Sequence, residues 1–179
     1  MKIIGIDADT QDVGTCVITD DVVTEFQTWK LSGRTYEQRA MGFYWAMNFY
    51  SRGHRLSSRI WPNPNAWTIA IEQVNVARNL DTVRKLAYLV GLLAASFGQW
   101  PVIVNTAAAY SVVGLSTTLG RDLLKQMVRH HVTAICQGNG WPVPADEHQA
   151  NAYCVAEWAR IHKGEEALNE RVYAGGTVA

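Results

Sequence analysis

Two stretches decide how this chain folds: Lys2-Ile3-Ile4-Gly5-Ile6-Asp7 and Trp67-Thr68-Ile69-Ala70-Ile71-Glu72-Gln73. Each is a short, nearly unbroken apolar run rich in β-branched residues, the pattern of a strand buried on both faces. Each run ends on an acid, Asp7 in the first and Glu72 in the second. An isolated carboxylate resists leaving water. Taken singly, either acid is better read as ending a strand or capping a turn. Taken together they suggest more, because ligand chemistry in open α/β sheets lies at the carboxyl ends of strands. Two acids delivered there can share Mg²⁺, which takes oxygen ligands and keeps several waters for a phosphate substrate.

Working outward, Gly14–Thr19 and Val22–Trp29 read as two further strands, with a tight turn at Asp20-Asp21. Thr35 can cap a helix that continues through Arg52. Residues 53–65 are polar, basic and proline-bearing, which predicts a loop. Val83, Leu86, Leu89, Val90, Leu93 and Phe97 fall near helical spacing and predict a long helix over Leu80–Phe97. A short strand follows at Pro101–Val104, then an amphipathic helix at Arg121–Val132. After a loop at Pro142 and Pro144, a last helix runs over Asp146–His162, and the small residues 174–179 should fray. A strand meander followed by alternating helices and strands predicts an α/β fold, a mixed five-stranded sheet with helices on both faces. At 179 residues the chain fits one domain spanning 1–179.

Composition narrows the function. Hydrophobic residues make up 48% and charged residues 18%, an ordinary globular balance. No apolar run is long enough to span a membrane, and no signal peptide is visible at the start, so a cytoplasmic protein is expected. Cys16, Cys136 and Cys154 are scattered and odd in number, which argues against a disulfide framework or zinc site and suits a reducing compartment. Net charge is zero, although phosphate binding usually brings excess Lys and Arg. Basic residues do cluster at Arg52–Arg59, Arg78–Lys85 and Arg121–Arg129, and acids at both ends of the chain.

The last helix opens Asp146-Glu147-His148-Gln149-Ala150-Asn151. Asp146 reads as an N-cap, with Gln149 completing a capping box. Glu147, His148 and Asn151 are three and four residues apart and should share a helix face. Ala150, Ala152 and Ala156 are small enough to bring that helix close to the sheet. His148 alone would be a solvated first-turn histidine.

Together these residues resemble the RuvC-type Holliday-junction resolvases, bacterial and phage nucleases of the RNase H-like superfamily. The opening Ile3 to Asp7 with Gly14, Val17 and Ile18 is similar to the family's start, although actin-like ATPases begin alike. More specific is Ile71-Glu72-Gln73-Val74 followed by Ala77-Arg78-Asn79, Lys85-Leu86 and Gly91. Val112-Val113-Gly114 with Gln126-Met127-Val128 is similar to the basic segment, and Ala150-Asn151-Ala152 with Ala156 to the final acidic helix.

The resemblance implies an RNase H-like fold, a homodimer, and catalytic positions at Asp7, Glu72, His148 and Asn151. It implies two Mg²⁺ or Mn²⁺ ions held by Asp7, Glu72, His148 and Asn151, with Glu147 as a further candidate ligand that could compensate for Asn151, and a four-way DNA junction as substrate. Arg78, Asn79, Lys85, Arg121 and Lys125 are the candidate DNA contacts. The helix Leu80–Phe97 is the implied dimer element. Asn151 departs from the pattern, which has aspartate there, and an amide is a neutral and poorer Mg²⁺ ligand. A second register sets Asp146 and Gln149 at the third and fourth site positions instead. Asn75 or Val76 stands where the family often has an aromatic wedge, and Ala109 or Tyr110 where it often has a lysine. The expected activity is metal-dependent endonucleolytic cleavage of four-way junctions. The rivals are a silent junction-binding protein, a nuclease of the same fold acting on forks or RNA hybrids, and a fragment of an actin-like ATPase. The last would need a second domain and glycine-rich phosphate loops after later strands, which this short sequence lacks.

Overall fold

Alternation along the first strand sorts its side chains to two sides of one sheet. In the computed structural model, which describes residues 1–9, 11–53, 67–73, 80–97, 100–118 and 120–174, β1 spans Lys2–Ala8. Ile4 and Ile6 point to one side, while Ile3 joins the core on the other. β2 (Asp12–Thr19) and β3 (Val22–Lys30) continue the sheet antiparallel, joined at Asp20 and Asp21, whose φ angles of 49° and 66° are both left-handed. Two successive left-handed residues are what a two-residue hairpin turn requires, and aspartate tolerates that conformation well. β4 (Trp67–Glu72) pairs parallel with β1, and β5 (Val102–Val104) pairs parallel with β4. The order is β3-β2-β1-β4-β5, the mixed five-stranded sheet that the sequence predicts.

Helices cover both faces. α1 (Tyr36–Gly53) and α2 (Leu80–Phe97) lie on the side of Ile4, Ile6, Ile69 and Ile71, with Phe43, Met47, Leu89 and Leu93 filling the space. Thr35 caps α1 as expected: its Oγ1 accepts from Gln38 N at 3.3 Å, and Gln38 Oε1 accepts from Thr35 N at 3.4 Å, a reciprocal capping box. On the other side lie α3 (Thr106–Ser111), α4 (Arg121–Asn139) and α5 (Glu147–Ala174). The three cysteines, far apart in sequence, meet in this second core as buried free thiols.

Beyond shifts of one or two residues at element ends, three helices differ from the sequence reading. α3 has no counterpart in it, being only six residues long, and is started by Asn105, whose side chain accepts from Ala107 N at 2.9 Å. α4 runs on from Val132 to Asn139, because Cys136 extends the buried stripe Leu124, Val128, Val132 by one more turn. Gly140, at φ 69°, then stops it as a left-handed C-cap. α5 continues past His162 through a run of good helix formers including Glu165, Glu166, Ala167 and Leu168. The loop with Arg55, Arg59 and Trp61 lies outside the described residues, as do residues 175–179. No described helix is long and apolar enough to cross a membrane.

Candidate active site

The site follows from strand parity. Asp7 sits an even number of residues from Ile3 and Gly5, so it shares their side of β1, the side of α5. Glu72 bears the same relation to Ala70 on β4. In the parallel register Ile6 is opposite Ile71, so the two acids leave adjacent strands side by side at their carboxyl ends. α5 crosses directly above. Glycine makes that approach possible: a Cβ on Gly5 would lie 2.1 Å from the Ala152 carbonyl oxygen, and one on Gly14 would lie 2.2 Å from that of His148. Ala150, Ala152 and Ala156 are fully buried at this contact, as their size suggests.

Asp7 is only 7% exposed, yet well supplied with donors. Its Oδ2 lies 2.9 Å from His148 Nδ1 and accepts from Asn151 Nδ2 at 3.2 Å. The bond to Asp7 is the main reason the His148 imidazole holds its proton up to about pH 9, against an ordinary 6.5. Glu72 is pushed up to about 8, first by burial and then by the charge of Asp7, with which it shares a hydrogen bond. Thr106 at the start of α3 donates to Glu72 Oε1 at 2.7 Å and offsets part of that rise. On the far side, the Tyr110 hydroxyl donates to Asn151 Oδ1 at 3.2 Å.

The neighbouring polar residues of α5 take other partners. Asp146 Oδ1 accepts from Gln149 N at 2.9 Å, the N-cap that the sequence suggests. Gln149 does not complete the box on Asp146; its Oε1 accepts from Ala145 N at 2.7 Å. Both side chains bond Thr28 of β3, at 2.5 Å and 2.9 Å, so the register built on Asp146 and Gln149 leads to Thr28 and not to Asp7. Glu147 departs from the expected shared face: it pairs with Lys125 of α4 at 2.6 Å, while His148 and Asn151 turn to Asp7. Lys85 lies 5.9 Å above the Tyr36 ring. Arg78 and Asn79 lie outside the described residues, as does the Arg121 side chain.

Sequence reasoning missed the part played by α3. Thr106 reaches Glu72 directly and Tyr110 reaches Asp7 only through Asn151, and the available signal was Asn105, a preferred cap residue just after a strand.

Among the described residues, no group of three or more His, Cys, Asp or Glu side chains is placed so that it could hold a metal ion. The donors here are closed on one another by hydrogen bonds. Their chemistry still fits a divalent cation, because the buried Asp7 and the half-buried Glu72 bring carboxylate oxygens to the ends of adjacent strands.

No family model matches the sequence, and no curated protein matches it either. Solved structures do. The chain is similar to RuvC of Thermus thermophilus in complex with a Holliday junction substrate, with a TM-score of 0.67 at 15% identity, covering 92% of this chain and 96% of that one. It is similar to a second Thermus thermophilus RuvC structure with a TM-score of 0.65, again at 15% identity, covering 93% and 97%. At that identity the likeness speaks for the fold, and over nearly its whole length this chain has the RuvC-type, RNase H-like fold.

Proposed function

We propose that this protein is a structure-selective DNA endonuclease that resolves four-way junctions by metal-dependent phosphodiester hydrolysis. The observation that carries the reading is the pairing of Asp7 and Glu72 at the ends of adjacent parallel strands, with Glu72 held near pH 8 by burial and by its neighbour. The RuvC-type fold supports it, since one neighbour with this fold was solved on a Holliday junction.

Asp7 and Glu72 would hold Mg²⁺ or Mn²⁺, and His148 would ligate such an ion through its second imidazole nitrogen only by giving up the proton that its bond to Asp7 favours. Once bound, such ions supply an acidified water and neutralise charge on the phosphate. Thr106 donates to the Glu72 carboxyl and restrains it, and the bond between His148 Nδ1 and Asp7 restrains the imidazole ring. Lys125 would meet the DNA backbone only by exchanging Glu147 for a phosphate. A two-fold dimer suits a four-way junction. The outward face of α2 fits that contact: Ala87 and Tyr88 are exposed there, and Gly91 has open space beside its Cα.

One observation favours the quieter alternative, a junction-binding protein with weakened catalysis: Asn151 brings an amide, not an acid, to Asp7. Cleavage of a synthetic four-way junction, beside duplex, fork and RNA–DNA hybrid controls and with and without Mg²⁺, decides between them. Mg²⁺-dependent cutting of the junction alone is expected. Tight junction binding without cutting selects the alternative, and preference for the hybrid or fork overturns both.

A further inference from the structure

The orientation of Asn151 is determined by its two neighbours. Asp7 Oδ2 is a buried acceptor already bonded by His148, so Asn151 can satisfy it only with an N–H. That turns Oδ1 the other way, toward Tyr110, whose hydroxyl has one proton and donates it at 3.2 Å. Tyr110 is 6% exposed and Asn151 7%, so water does not compete for either bond. The chain Tyr110 to Asn151 to Asp7 therefore has one direction, and reversing any member would set two like groups against each other.

We propose that Tyr110 is a positioning residue for the acidic pair: its hydroxyl fixes the Asn151 amide with its N–H toward Asp7, so Asn151 steadies that carboxylate as a donor and is not itself a metal ligand. This goes beyond the cleavage reading and rests on it only for the metal's purpose. Tyr110 comes from α3, a six-residue helix joined to β5 through Asn105, so the same short element steadies both acids: Thr106 holds Glu72, and Tyr110 holds Asp7 through Asn151. The arrangement gives the amide at position 151 a use that an aspartate could not supply. An ionised acid there would face Asp7 with no proton to give.

Three measurements on Tyr110→Phe, Asn151→Ala and the double variant test it. In ¹⁵N-labelled wild-type protein without metal, the Asn151 side-chain amide should give a resolved pair of slowly exchanging protons, and Tyr110→Phe should return that pair to ordinary exchange. Mn²⁺ affinity by calorimetry should fall about tenfold in Tyr110→Phe, as losses of an outer hydrogen-bond partner do. In Asn151→Ala, adding Tyr110→Phe should cost nothing more. Junction cleavage should lose kcat by a similar factor, with junction Kd unchanged. A general packing defect would instead lower the melting temperature without this dependence on Asn151.

Unchanged amide exchange in Tyr110→Phe, or equal Mn²⁺ losses with and without Asn151, overturns the proposal. If Tyr110→Phe does not fold, the wild-type amide alone decides, since rapid exchange there is incompatible with a buried donor bond. If the wild-type protein cuts no junction, the cleavage reading fails, while amide exchange and Mn²⁺ affinity still judge the relay.

Discussion

The two faces of the sheet are built on opposite principles. On the side of α1 and α2, large aliphatic and aromatic residues such as Ile4, Ile6, Ile69, Ile71, Phe43 and Leu89 interlock in a core without charge. On the side of α5, the sheet offers Gly5 and Gly14 and the helix offers Ala150, Ala152 and Ala156, so backbone approaches backbone. The first face packs large side chains directly against the strands. The second also buries Leu124, Val128 and Val132 farther out, but beneath α5 it brings backbone to backbone and holds two carboxyl groups, a histidine and an asparagine. The same strands serve both because alternate residues belong to different faces.

The comparison breaks most severely where a side chain is added to the close face. Gly5→Val should cost more than about 4 kcal/mol, since the new Cβ meets the helix backbone and neither element can yield cheaply. No cooperative thermal transition by circular dichroism is the expected result, and a well-folded Gly5→Val protein would refute the close approach. Deleting atoms from the other face should be milder: Ile69→Ala leaves a cavity and costs about 2–5 kcal/mol by denaturant titration. Cleavage per folded molecule should not change, because none of those atoms touches the acids.

A third prediction concerns pH. Glu72 holds its proton to about 8 in the folded protein against an ordinary 4.5, and His148 to about 9 against 6.5. In each case the folded state binds the proton more tightly than the unfolded chain. The stabilisation is therefore complete below the unfolded value and lost as pH rises through the folded one. The metal-free melting temperature should fall from about pH 5 to about pH 9. Glu72→Gln should flatten the lower part of that fall, leaving the part due to His148. A melting temperature that rises over this range would contradict the assignment. The smallest effect is expected at the cap: Asp146→Ala should cost about 1 kcal/mol of stability and leave cleavage alone, because Asp146 faces Thr28.

The strands were legible because β-branched runs ended on acids, and the close helix because its alanines recur. Parity then brings Asp7 and Glu72 to one side, which a sequence can state only if both strands are parallel and in register. What could not be read was the contribution of α3, since six residues carry too little periodicity to reveal a helix. The separation of Glu147 from His148 was hidden for a different reason. Each lies one helical turn from Asn151, but consecutive residues diverge around a helix, and Glu147 meets Lys125 on α4. The buried meeting of three distant cysteines likewise depends on tertiary packing.

The central claim is that Asp7 and Glu72 act as a pair on a metal-dependent cut, separately from the groups that hold DNA. Glu72→Gln tests it most directly, because the amide keeps the shape and removes the ability to ionise against a metal. Cleavage of a four-way junction in Mg²⁺ should fall by about a thousandfold or more, while junction Kd stays within about threefold. Undiminished cleavage, or a loss of binding equal to the loss of cleavage, would contradict the account.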